Sequence, residues 1–228
     1  MKPLRTCLLL PVLLAACSQV PGPIAQLDRF KTAEAAKNYS AIEAEPVNAD
    51  CNTADKSEAC PQLFEIHARA CLRLVAAETP AGAACPAPSD AVRRRLDCAA
   101  SGFAAARDSG SFSTVQSEDF TDMRAHALYC GATLRDTSEG VPLARTSLAE
   151  LATLPATPER DHAIASAALN IANREDLPQA QRCDAARQAV RAAEWGLTGT
   201  PAAAIADGLR GARGAARGII TRLRCGST

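Results

Sequence analysis

Residues 89–107 read SDAVRRRLDCAASGFAAAR. Ser89-Asp90 is an N-cap, and behind it Val92, Leu96, Ala99, Phe103 and Ala106 are spaced 4, 3, 4 and 3. Those intervals put every apolar residue on one face of an α-helix and leave no strand-like alternation. The pattern recurs downstream: Phe120, Met123, Ala127, Cys130 and Leu134 fall at 3, 4, 3 and 4, as do Cys183, Ala186, Val190, Ala193 and Leu197. One helix period therefore governs much of the chain.

Prolines and turn residues divide the rest. A helix is expected from Ile24 to about Glu45, ended by Pro46, and the polar Cys51–Cys60 segment reads as a loop closed on itself. Pro61 sits in the first turn of a helix to about Glu78. Asp136–Gly140 reads as a turn, Pro142 opens a shorter helix to Leu154, and Thr157-Pro158 caps one running to about Arg174. Pro178 and Pro201 start the last two, the second reaching about Leu223. Phe112–Val115 is the only strand-like stretch, too short and isolated to build a sheet. The expected fold is all-α, with about eight helices and short connections that make neighbours antiparallel hairpins.

Composition limits the core. Apolar residues make up 47% of the chain but aromatics only 4%, so alanine supplies much of the rest and each buried residue removes little area from water. The cysteines point to a compensation. Setting aside Cys7 and Cys17 leaves Cys51, Cys60, Cys71, Cys85, Cys98, Cys130, Cys183 and Cys225, an even set containing no C-x-x-C pair of the zinc type. They are expected to form up to four disulfides in an oxidising compartment, and no metal or cofactor is expected. Pairing neighbours joins Cys51 to Cys60, Cys71 to Cys85, Cys98 to Cys130 and Cys183 to Cys225. An alternative keeps the outer pairs and joins Cys71 to Cys98 and Cys85 to Cys130, because Cys71 and Cys98 lie at similar distances from the hairpin turn.

The N-terminus reads as an address. Met1-Lys2-Pro3-Leu4-Arg5 is short and cationic, and Cys7–Leu14 is an apolar run far below the roughly 20 residues that cross a bilayer. Leu14-Ala15-Ala16-Cys17 resembles the lipobox of bacterial lipoproteins. The resemblance implies cleavage before Cys17 by signal peptidase II and lipid on that cysteine. Ser18, where inner-membrane proteins of that class often carry Asp, implies the outer membrane. Residues 1–16 are then a signal peptide, 17–23 the lipid anchor and tether, and 24–228 a single helical disulfide-bonded domain. With 25 basic and 25 acidic residues overall, loss of Lys2 and Arg5 leaves a slightly acidic protein, which gives no argument for nucleic acid.

The second helix of each expected hairpin carries a small-x3-large-x2-small motif: Ala99-Phe103-Ala106, Ala144-Leu148-Leu151 and Ala186-Val190-Ala193. With Gly131 after Cys130, this resembles the tetratricopeptide repeat. The motif recurs after 45 and 42 residues, however, instead of the family's 34 or so, and the family's Trp and Tyr positions are not filled. A tetratricopeptide-like array and a compact disulfide-stapled bundle both remain open; they differ in whether a groove survives between helices.

Few residues suggest chemistry. No nucleophile elbow, H-E-x-x-H, P-loop or dinucleotide fingerprint occurs, and His67, His126 and His162 sit among alanines inside expected helices, where packing is the ordinary role. Asp50, Asp55 and Glu58 do not follow the calcium-loop order and read as a solvated acidic loop. Trp195, the only tryptophan, is expected to cap a core unless it contacts a partner. The last helix combines Gly208, Gly211, Gly214 and Gly218 with Arg210, Arg213, Arg217, Arg222 and Arg224, over an apolar face of Ile205, Leu209, Ala212, Ala216, Ile219 and Leu223. It is either a terminal cap with a solvated arginine face or an anion-facing surface, with Arg210, Arg213 and Arg217 the candidate contacts.

These features together suggest a non-enzymatic outer-membrane lipoprotein. It would join the membrane through its lipid and bind a protein partner in the periplasm, as a module of envelope assembly or secretion. An immunity-type protein that masks a toxin, and an envelope enzyme with an unrecognised site, are the alternatives. Replacing Cys17 by Ser should move the protein out of the membrane fraction; a wild-type chain recovered unlipidated and soluble would refute the anchor.

Overall fold

The computed structural model describes residues 22–53 and 57–226, so the lipobox, Cys17 and most of the tether lie outside the described residues. Nine α-helices and one 3-10 turn account for the regular structure described: α1 Pro23–Ala35, α2 Tyr39–Ala44, the 3-10 turn Ala49–Asn52, α3 Cys60–Glu78, α4 Asp90–Asp108, α5 Thr114–Thr133, α6 Thr137–Thr153, α7 Pro158–Ala172, α8 Gln179–Thr198 and α9 Ala203–Arg222. The fold is all-α. Each helix from α3 onward packs on its neighbours in the chain, and α7 also packs on α5 and α9. Successive hairpins therefore stack on one another, and none of these helices is long and apolar enough to cross a membrane.

The helix starts follow their caps. Ser89 Oγ accepts from the Val92 N–H at 3.1 Å, and Thr157 Oγ1 from the Arg160 N–H at 3.1 Å. Three boundaries differ from the sequence reading. The expected 24–45 helix breaks at Lys37, whose φ of 55° closes α1 with bonds from Lys37 N to Glu34 O and from Asn38 N to Ala33 O. Asn38 then caps α2. This is the Schellman closure that usually recruits glycine, and a lysine there gives no warning in the sequence.

Phe112–Val115 contains no strand. Ser113 and Gln116 form a capping box, Thr114 and Val115 open α5, and Phe112 packs edge-on against Phe120 at 4.8 Å. Asp136–Gly140 is also no free turn. Asp136 caps the Glu139 N–H at 3.1 Å, which starts α6 five residues ahead of Pro142 and leaves that proline inside the helix. Arg174 secures the corner by donating from Nη1 to the Arg135 carbonyl at 2.7 Å and from Nη2 to the Ala132 carbonyl, both at the C-terminal end of α5.

The core divides unevenly. Around α3, α4 and α5 it contains Val75, Val92, Leu96, Phe103 and Phe120, while Phe30 and Ile42 from α1 and α2 are buried against the start of α3 with Leu63. Between α7, α8 and α9 it is largely alanine, with Ala165, Ala168, Ala172, Ala186, Ala189, Ala193 and Ala216 fully enclosed and Ile171, Leu209 and Ile219 the larger members. Small residues let these helices lie close. A Cβ at Gly102 on α4 would come within 2.8 Å of Ala68 Cβ on α3, and one at Gly140 within 2.7 Å of the Ala132 carbonyl oxygen.

Four disulfides cross-link this framework: Cys51–Cys60, Cys71–Cys98, Cys85–Cys130 and Cys183–Cys225. The outer two pair neighbours; in the middle the alternative pairing holds, and Cys71–Cys85 and Cys98–Cys130 do not form. The reason is helix register. Cys71 and Cys98 stand at one level of the antiparallel α3–α4 hairpin with Cα atoms 6.3 Å apart, whereas Cys85 lies in the connection that folds over α5 toward Cys130. Two predictions follow from the packing and the cross-links. Gly140→Ala should cost about 1–3 kcal/mol, because the new methyl meets the Ala132 carbonyl oxygen and the Arg174 guanidinium bonded to it, each 2.7 Å from the added Cβ. Replacing Cys183 and Cys225 by Ala should cost about 2–4 kcal/mol in urea unfolding; a loss below 0.5 kcal/mol for either change would contradict this account.

Candidate partner surface

Arg210, Arg213 and Arg217 recur at intervals of three and four, so they share one flank of α9. Arg210 bonds Asp207 on its own helix at 2.5 Å, and Arg217 reaches Glu194 on α8 at 2.6 Å. Arg213 has no ion-pair partner among the described residues. Both pairs are well exposed, with the Arg217 side chain at 59%, so the carboxylates are easily exchanged for another acid. The positive face is thus partly compensated, not the bare cationic stripe that the sequence suggests.

Beneath that flank α9 is docked along its apolar face, with Leu209, Ala212, Ala216 and Ile219 buried. Gly208 is the one glycine of the helix that packing requires, since a Cβ there would stand 2.4 Å from His162 Nε2 on α7. Cβ atoms at Gly211, Gly214 and Gly218 would meet nothing within 4 Å. The helix ends in a second Schellman closure at Arg224, φ 49°, which turns Cys225 back toward Cys183 on α8.

Trp195 corrects the expectation of a core cap. It stands 68% exposed on α8, beside a depression of about 510 Å³ lined by Ala156, Thr157, Pro158, Asp161, Gly196 and Gly199. Its indole lies off the buried stripe of α8, which comprises Cys183, Ala185, Ala186, Ala189, Ala192, Ala193 and Gly196. Gly196 is buried because Leu209 of α9 occupies the place of a side chain, 2.9 Å from a Cβ built there. Asp161, buried on the floor, is held by Arg160 at 2.6 Å.

The histidines do not assemble into a catalytic group. His67 stacks on Phe30 at 6.0 Å, and burial pushes its pKa below the ordinary value, opposed by the backbone and carboxylate of Glu43. Its Nδ1 lies 3.4 Å from Cys98 Sγ, and the ligand atoms of His67, Cys71 and Cys98 all fall within 4.8 Å of one another. With the two sulfurs bonded together, this cluster offers one imidazole and no thiolate to a metal. His126 on α5 is likewise shifted down by burial, with Asp122 pulling back, and His162 is occupied by packing on Gly208. Asp50 and Glu58 are exposed, and Asp55 lies outside the described residues.

Compared with known protein families, characterised proteins and solved structures, the chain matches none. Since Trp195 contributes no packing to the core, Trp195→Ala should change unfolding free energy by no more than about 0.5 kcal/mol. Native tryptophan emission should be red-shifted and open to iodide quenching. A blue-shifted, unquenched signal, or a large destabilisation, would show that the side chain is covered after all.

Proposed function

We propose that this protein is a lipid-anchored, helical-hairpin binding module on the periplasmic face of the outer membrane, which engages a protein partner through the α8–α9 end. The single observation that carries the reading is the exposure of the only tryptophan at the rim of a depression, on a helix whose buried stripe runs from Cys183 to Gly196 on another side. Tryptophan and arginine are the residues most enriched where binding energy concentrates. Trp195 supplies an apolar anchor, and the compensated arginines of α9 supply exchangeable charge.

The lipobox match at Cys17 supports the anchor, and the four disulfides agree with an oxidising compartment. Stacked hairpins carrying Ala99-Phe103-Ala106, Ala144-Leu148-Leu151 and Ala186-Val190-Ala193 on their second helices fit a tetratricopeptide-like scaffold. In each motif the first alanine is buried at a helix seam. Envelope assembly or secretion is the setting in which such an anchored scaffold acts.

A photo-crosslinking residue placed at position 195 in living cells should give one discrete protein adduct, whereas the same residue at Thr32, on the exposed side of α1, should not. Changing Arg210, Arg213 and Arg217 together to Gln should weaken the adduct at position 195 while leaving the disulfides and the fold intact. Identical adduct patterns from both positions, or none from position 195, would end the proposal. The identity of the adduct separates an assembly partner from a toxin.

A further inference from the structure

A second concave surface lies away from the α8–α9 end. Between α3 and α5, closed at one side by the connection after Glu78, runs a groove of about 520 Å³, within the range of roughly 300–1,000 Å³ typical of small-molecule sites. Leu72, Val75 and Ala76 from α3 and Met123 from α5 give it an apolar lining, and Ala83 and Ala84 form its wall. The Cys85–Cys130 disulfide holds that wall against α5.

Its charge is one-sided. Arg69 and Arg73, one helical turn apart on α3, line the groove together with His126, and none of the lining residues is acidic. By contrast, the depression beside Trp195 contains Asp161, and one along α8 contains Asp184.

The two arginines are held differently. Arg69 is fixed: its Nε donates to Glu65 Oε1 at 3.0 Å, its guanidinium lies 5.7 Å above the Phe120 ring, and its Nη1 is 3.7 Å from Met123 Sδ. Arg73 is exposed and makes no ion pair among the described residues. The groove thus places one positioned and one uncompensated guanidinium beside an apolar trough, which complements an anion joined to a hydrocarbon chain. A guanidinium binds a carboxylate through paired N–H donors, and the trough removes the chain from water.

We propose that this groove binds a single-chain anionic amphiphile, a free medium-chain fatty carboxylate. Its head group lies on Arg73, with Arg69 adding positive potential, and its chain lies along Leu72, Val75 and Met123. This site is separate from the partner surface and stands or falls independently of it.

Decanoate, held below its micellar concentration, is titrated calorimetrically into the oxidised protein alongside 1-decanol. Decanoate should bind saturably with a stoichiometry of one and at least tenfold more tightly than 1-decanol. Arg73→Gln should weaken decanoate about tenfold, the scale of a lost charge-assisted hydrogen bond, and leave 1-decanol unchanged. Ala76→Phe, which fills the trough from an exposed position, should abolish binding of both. An unchanged unfolding midpoint in each variant establishes that the fold is retained. Equal affinity for acid and alcohol, non-saturable uptake, or decanoate binding indifferent to both substitutions would overturn the proposal. So would a short apolar peptide ending in a free carboxylate that binds where decanoate does not.

Discussion

The distance at which two helices can pack is the constraint on which the rest of this structure depends. A buried alanine contributes only a fraction of the 1.5–3 kcal/mol or so available from a fully buried leucine or phenylalanine, so alanine seams stabilise mainly by letting backbones approach. Ala68 meets Gly102 where α3 crosses α4, and Ala132 meets Gly140 where α5 gives way to α6. At both contacts backbone carbonyls crowd the glycine, Phe64 O at 3.1 Å from a Cβ built on Gly102 and Ala132 O at 2.7 Å from one on Gly140, so even a methyl presses on backbone. The aromatic residues gather in another part of the core, where Phe103 and Phe120 stack at 5.9 Å between α4 and α5.

The disulfides follow from the same limit. Each of the four ties one element to another: the 3-10 turn to α3, α3 to α4, the connection after α3 to α5, and α8 to the end of α9. In the chain-entropy account the longer loops contribute about 3–4 kcal/mol each, comparable to one or two fully buried leucine or phenylalanine side chains. One cross-link of that size, Cys183–Cys225, ties the end of α9 to α8, where the packing with α7 rests largely on alanine together with Ile171, Leu209 and Ile219.

Much of this was legible in the sequence, because helix periodicity and caps are local. Ser89, Thr157 and the prolines at 61 and 158 mark starts within a residue or two of those observed. What escaped reading depends on three dimensions or on an atypical residue. The left-handed Lys37 carries no glycine signal, and the choice between the two pairings that the sequence leaves open for Cys71, Cys85, Cys98 and Cys130 depends on the level at which α3 and α4 meet. Arg69 and Arg73 were a visible i, i+4 pair beside Leu72, but nothing in the sequence said that α5 and a disulfide-held connection would turn that face into a groove. Trp195 carried a usable signal: it falls two residues after Ala193, on the side of α8 away from the stripe Cys183, Ala186 and Ala193. In so alanine-rich a helix the covered face is hard to assign, and a lone tryptophan reads as part of it.

The last helix shows how a cross-link separates placement from propensity. An interior glycine costs about 1 kcal/mol relative to alanine, and α9 carries four, of which only Gly208 is needed by a neighbour, His162. Among the described residues no contact accounts for the missing side chains at Gly211, Gly214 and Gly218. A helix so weak by composition would fray if its own hydrogen bonds had to hold it. It stays because Leu209, Ala212, Ala216 and Ile219 dock it along its length and the Cys183–Cys225 bond fixes its end. Once those residues secure the position, the outward residues of α9 are released from the requirements of folding, and arginine and glycine are tolerated there.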